Sequence, residues 1–213
     1  NAADFDWQLA LLSGFADGLR NSKRTLISVA KLDSSNSLPR VESFLQRGAA
    51  IASDSAQPTD RRLVAIDLLS HSTFEKAGSA LETSLNSSQP SEIQIAAIRA
   101  LTQMPGTNGG AALVRKEHWN GYTPAVRESV FTAMMTQPIL IQALLASVER
   151  GDISAWSITP DRRNQLMKNR DEAIRHRASA LFKNLQSDDR MKVYEEYKSV
   201  LSLTPNAANG HVI

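Results

Sequence analysis

The chain has 213 residues, 42% of them hydrophobic and 22% charged, which is the make-up of a folded globular chain and not of a disordered tail. A domain of this length removes roughly 70% of its unfolded surface from water, so neither disulfides nor a structural metal is required to hold it. It contains no cysteine, which excludes thiol catalysis, thiolate zinc, iron–sulfur ligation and covalent haem attachment within these residues. Twenty-four Lys and Arg against 22 Asp and Glu leave a formal charge of +2. The positives fall in scattered pairs (Arg61-Arg62, Arg115-Lys116, Arg162-Arg163) instead of one basic face, so no nucleic-acid partner is indicated. No run approaches the 18 to 20 apolar residues of a membrane span.

Apolar residues recur at helical spacing along almost the whole chain, and no stretch alternates as a strand would. Phe5, Leu9, Leu12, Phe15, Ala16 and Leu19 predict an amphipathic helix over 4–20. Further helices are predicted at 22–32, 38–53, 59–71, 73–86, 91–104, 109–118, 123–136, 138–150, 160–168, 171–186 and 188–202. The breaks between them carry turn and cap residues, among them Asp33-Ser34-Ser35-Asn36, Asn86-Ser87-Ser88, Pro105 to Gly110, Asn120-Gly121, Gly151-Asp152 and Ser187-Asp188-Asp189. The expected fold class is all-α.

An internal repeat sharpens that expectation. Gln57-Pro58-Thr59-Asp60 overlays Gln89-Pro90-Ser91-Glu92 at a displacement of 32 residues. Thr59 and Ser91 suit N-caps, and the following acid suits the positive end of a helix dipole. The same displacement carries Ala65 onto Ala97, Ile66 onto Ile98 and Leu69 onto Leu101. A third copy starts at Thr123 with Pro124 at N1, and Ser129 and Val130 continue the small and branched columns. Glu128 and Ala133 mark it as degenerate. With a second helix between successive starts, the unit is a helix pair, as in α-solenoids of armadillo-like type, where stacking supplies the core. The reading is one helical-repeat domain over 1–213. Its units lie near 59–90, 91–122, 123–150 and 159–186, followed by a capping helix over 188–203 and a linker over 204–213. A non-repeat bundle accounts for the periodicity equally well, but gives no reason for starts to recur at one displacement. The N-terminal Asn1-Ala2-Ala3-Asp4 and the apolar end Val212-Ile213 suggest an internal segment of a larger protein.

Signatures of chemistry are missing. His71, His118, His176 and His211 have no second histidine one helical turn away, so no ligand pair or HExxH pattern is formed. Glu117-His118-Trp119 is the most suggestive local cluster, although a surface histidine beside a partly buried tryptophan at a helix end explains it. Gly106 to Gly110 has no following Lys-Ser or Lys-Thr and is not preceded by a strand, unlike a phosphate loop. No serine stands in GxSxG or SxxK. Asp188, Asp189, Glu195 and Glu196 lie where caps and a charged helix face belong. The segment is read as non-enzymatic, with no catalytic, metal or cofactor residues. Trp119, Tyr122, Trp156, Arg162, Arg163 and Tyr197 are the candidate interaction surface, because Trp, Tyr and Arg dominate hot spots. Gap-filling between stacked units explains the tryptophans too.

From about residue 139 onward, the chain resembles a known family. The residues concerned are Gly151-Asp152-Ile153-Ser154, Arg163 with Leu166, Ile174 to Ala178, Leu181-Phe182, Arg190, Val193, Tyr197, Leu201 and Gly210 to Ile213. The family consists of large multidomain planctomycete-type proteins described as membrane-bound dehydrogenases or haem-binding proteins. There a sugar-dehydrogenase-like propeller precedes HEAT-like repeats, and a cytochrome c domain follows them. The resemblance implies a non-catalytic scaffold between the propeller and the cytochrome domain. It also implies haem c in the parent protein, outside this segment, and a periplasmic, cell-envelope or secreted location for that parent. Partners would be neighbouring domains of the same chain. The alternative is a solenoid that docks a separate protein or peptide.

Overall fold

The structure is a computed structural model that describes residues 2–22, 24–33 and 37–198. Among these the chain is helical with connecting turns and has no strand, so the all-α expectation holds. Where the sequence reading has one domain over 1–213, the chain divides into two compact units, Asn1–Ile153 and Ser154–Ile213.

The first unit contains α1 (Ala2–Asn21), α2 (Leu26–Ala30), α3 (Ser37–Ser53), α4 (Thr59–Leu69) and α5 (Phe74–Ser84). It continues with α6 (Ser91–Gln103), α7 (Asn108–Leu113), α8 (Lys116–Gly121), α9 (Pro124–Met134) and α10 (Pro138–Glu149). Helices α1, α4, α6 and α9 pack side by side in that order, and α3, α5, α7 and α10 form a second series. Contacts of α3 with α4, α5 with α6 and α6 with α7 join the two series. The core lies between them. The columns at 32-residue displacement are inside it: Ala65 and Ala97 are fully buried, as are Ile66, Ile98 and Val130, and Leu69 and Leu101. Ser129 is half-buried, and its hydroxyl turns back to the Ala125 carbonyl of its own helix at 3.1 Å.

The helix starts differ by one residue between the early and late copies. Pro58 and Pro90, not Thr59 and Ser91, take the N-cap position, with ψ of 143° and 142° and no side-chain cap bond. Thr123 and Thr159 do cap their helices, accepting from the amides of Val126 and Arg162. Residue order explains this. Proline fixes φ near −65° and lacks an N–H, so it fits at N1 after a threonine, whereas ahead of one it supplies the extended cap residue itself.

The predicted helix 109–118 is broken in two. α7 ends at Leu113, and Arg115, in extended conformation, starts α8. The glycines of α7 belong to packing: a Cβ on Gly109 would lie 2.1 Å from the Leu101 carbonyl oxygen, and one on Gly110 would lie 2.7 Å from a Leu140 methyl. α7 is thus pressed onto α6 and α10. At the end of α10, Gly151 takes φ of +76°, and the amides of Gly151 and Asp152 return to Val148 and Ser147 as a left-handed C-terminal turn.

The second unit contains a 3-10 turn at Ala155–Ser157, α11 (Pro160–Met167) and α12 (Glu172–Lys198), with α11 packed on α12. Asp171 caps α12, its carboxylate accepting from the amides of Ala173 and Ile174. Ile174, Ala178 and Phe182 form its buried stripe. The expected break at Ser187-Asp188-Asp189 is absent: α12 runs through it. Ser and Asp cost only some tenths of a kcal/mol each in a helix interior, and without Gly or Pro nothing forces an end. Of the anticipated capping stripe, Val193 and Tyr197 fall within α12 but their side chains are not described, and Val200, Leu201 and the linker over 204–213 lie outside the described residues.

Candidate functional site

The aromatic and arginine residues proposed as a surface separate into distinct environments. Trp119 and Tyr122 are buried and are not available to a partner as they stand. Trp119 meets Phe131 edge-on at 5.1 Å between ring centroids and Tyr122 at 6.3 Å. Arg127 lies over the Trp119 ring at 5.4 Å and donates from Nε to the Trp119 carbonyl at 3.2 Å, closing the end of α8. In the second unit Arg163 is buried and lies 5.5 Å from the Trp156 ring centroid, while Trp156 itself stays half-exposed and Arg162 is half-buried. The side chain of Tyr197 is outside the described residues. Both tryptophans therefore precede a Thr-Pro helix start whose fourth following residue is an arginine over the ring. The signal is in the sequence: Trp119-Asn120-Gly121-Tyr122-Thr123-Pro124-Ala125-Val126-Arg127 matches Trp156-Ser157-Ile158-Thr159-Pro160-Asp161-Arg162-Arg163 with one residue deleted.

A second device recurs at the 32-residue displacement. Arg62 and Gln94 are both buried at the first turn of their helices. Arg62 donates from Nε and Nη2 to the Ala52 carbonyl at 3.1 and 3.0 Å, and from Nη2 to Gln89 at 2.8 Å. Gln94 donates to the carbonyls of Leu85 and Asn86 at 3.1 and 2.8 Å. Each satisfies the orphan carbonyls at the end of the preceding helix.

The most chemically varied cluster joins α1, α4 and α6, and no local pattern announces it because its members are far apart in sequence. Ser13 donates to Asp67. Arg20 reaches Gln103 at 2.7 Å, Ser70 at 3.0 Å and His71 Nδ1 at 3.1 Å, and lies 3.7 Å from Asp17. His71 Nε2 faces Asp17 at 3.4 Å. Burial holds the imidazole below its ordinary value of 6.5, and the Arg20 charge adds to this, against Asp17 and Asp67. Among the described residues, Asp17, Asp67 and His71 form the one group close enough to converge on a metal ion. The donor set does not suit one. A guanidinium can only donate, so Nδ1 accepts from Arg20 and the neutral ring carries its proton on Nε2, the nitrogen a metal would need. The cluster is a polar lock between helices.

Around His118 the relevant acid is not the adjacent Glu117, which is exposed, but Glu82 of α5, paired with Arg115 at 2.8 Å. Burial, with Arg115, lowers the His118 pKa against the pull of Glu82 and Glu117. Burial, reinforced by Glu82, pushes the Tyr122 hydroxyl well above its ordinary range. A tyrosine held neutral beside an ion-paired glutamate gives no activated nucleophile.

The series α4, α6, α9 leaves two shallow grooves, one walled by Leu63, Asp67, Ala96 and Gln103 and the other by Ile95, Glu128, Ser129 and Thr136. Arg99, exposed on α6, borders both. Comparison with protein-family models, with curated proteins and with solved structures returns no match.

Proposed function

We propose that the chain is a non-catalytic scaffold, a solenoid of HEAT-like helix pairs, which in a larger haem-binding dehydrogenase protein holds a propeller domain and a cytochrome c domain at a set distance. The observation that carries the repeat reading is the recurrence, at one displacement, of both the buried columns and the Arg62/Gln94 carbonyl clamp. Two independent features at the same interval are what stacked equivalent units require. Side-by-side packing of α1, α4, α6 and α9 supports it further. The domain context rests on the sequence resemblance over residues 139–213. The test is to replace residues 1–198 in the parent protein by a flexible Gly/Ser linker and follow haem reduction by the dehydrogenase substrate. Slower reduction with an unchanged haem spectrum is expected, and an unchanged rate overturns the scaffold role.

The two grooves that meet at Arg99 favour a second reading, docking of a separate protein or peptide along α4, α6 and α9. Loss of peptide capture in an Arg99→Glu variant, with haem reduction in the parent unaffected, selects docking over the scaffold.

A further inference from the structure

The polar lock between α1, α4 and α6 closes on one imidazole. His71 accepts from Arg20 at Nδ1 over 3.1 Å, while its buried Nε2 lies 3.4 Å from Asp17 and makes no hydrogen bond. The same guanidinium holds Ser70 at 3.0 Å and Gln103 at 2.7 Å, so one side chain ties the end of α1 to the end of α4 and to α6. The charges acting on the ring are Asp17 and Arg20 from α1 and Asp67 from α4. From α6, Arg99 borders the groove that Asp67, Ser70 and Gln103 wall. The stretch of α1 that carries these contacts is soft. Its buried anchors are Leu9, Ser13 and Ala16. Beyond Ala16 no residue of the helix is buried, and Leu19 is only half-covered. A Cβ on Gly14 or Gly18 would meet nothing within 4 Å, so no packing requires either glycine, and each weakens a helix interior relative to alanine.

We infer that this arrangement is a proton-operated latch: a proton on Nδ1 of His71 expels the Arg20 guanidinium, and the last turn of α1, residues 17–21, parts from α4 and α6. The exchange follows from donors and acceptors. A guanidinium can only donate, and so can an imidazolium, so the two cannot stay bonded and their charges repel. Nη2 of Arg20 bonds both His71 and Ser70, so its departure breaks those two bonds at once. The charged ring turns to carboxylates instead. Asp67 precedes it by one helical turn, with an oxygen within 4.8 Å of a ring nitrogen, and a pair there needs nothing from α1. Asp17 is drawn to the ring as well, but it is exposed, and water screens such a pair. Burial and the Arg20 charge hold the ring below its ordinary 6.5, so the latch is closed at neutral pH and opens below 6.5.

Imidazole nitrogen NMR and amide hydrogen exchange on the whole chain test this. At pH 8 the neutral ring should carry its proton on Nε2 and leave Nδ1 bare. As His71 titrates, exchange in residues 17–21, corrected for its intrinsic pH dependence, should rise at least tenfold relative to α6. Gly18→Ala stiffens the turn and should reduce that rise severalfold. His71→Gln offers Arg20 a neutral acceptor at every pH, so acid should no longer speed exchange there. An Nδ1–H tautomer, exchange that ignores the His71 titration, or an undiminished acid response in His71→Gln overturns the inference. If His71→Gln melts below the native chain at pH 8, Arg20→Gln decides: with no guanidinium to expel, the turn should already exchange at its open rate at pH 8 and acid should add nothing. A turn that stays protected and acid-sensitive in that variant overturns the latch equally.

Discussion

At positions 62 and 94 a buried polar side chain closes the helix before its own, and the size of that contribution can be measured. Arg62→Met keeps most of the apolar stem but removes both guanidinium donors to the Ala52 carbonyl, leaving it the long 3.4 Å contact from the Ser84 hydroxyl. An unsatisfied buried acceptor costs about 1–3 kcal/mol, so urea unfolding should shift by that much, and Gln94→Leu should behave alike. A loss below about 0.5 kcal/mol in both would show that water replaces the clamp. The polar lock has a pH signature. His71 is held below 6.5 in the folded chain, so on acidification the unfolded state takes up a proton before the folded state does. Its contribution to stability is therefore complete above pH 6.5 and is lost as pH falls from there through the folded value. His118 acts in the same direction. Unfolding free energies measured from pH 8 to 5 should decline, and His71→Gln should flatten part of that slope. A slope unchanged by the substitution would remove His71 from the account.

Among the helices, α7 is the most tightly seated. With a Gly109 Cβ only 2.1 Å from a backbone oxygen of α6, Gly109→Ala cannot be relieved by rotating a side chain. It should destabilise by about 1–3 kcal/mol or more, whereas the same exchange at Gly14 should stabilise. Equal effects in thermal melts would contradict the packing. This is also where the sequence was least legible. Apolar period and punctuation located the helices, and the 32-residue displacement found the columns that are buried. The division of 109–118 into α7 and α8 depends on how closely α7 meets α6, which no local pattern encodes. The expectation of two helices where α12 runs on rests on cap-type residues alone, and Ser187-Asp188-Asp189 lacks the Gly or Pro that enforces a stop. At the candidate sites, Arg127 and Arg163 over tryptophan were readable from the two Trp…Thr-Pro…Arg segments. The lock was not, since Ser13 and Asp67 meet across 54 residues and Arg20 and Gln103 across 83.

For the molecule as a whole, Asn1–Ile153 has its own core, from Leu9 through Val130 to Val148. A chain ending at Ile153 should keep its helical signal per residue and unfold cooperatively, checked by circular dichroism against denaturant; a non-cooperative melt would show that the first unit depends on the second. Among the described residues α1 packs in its series on α4, through buried Leu9 and Ala16 and through polar contacts from Ser13, Asp17 and Arg20. Hydrogen bonds that all act over one short distance break together under load, while interdigitated apolar helices slide and yield gradually. Pulled by its N-terminus in an optical trap, the unit should therefore release α1 first, in one sharp step. Its 20 residues lengthen by roughly 40 Å from helix to extended chain. The force at which that step occurs should drop below pH 6.5, making the first helix a mechanical catch whose strength is set by the charge on one histidine.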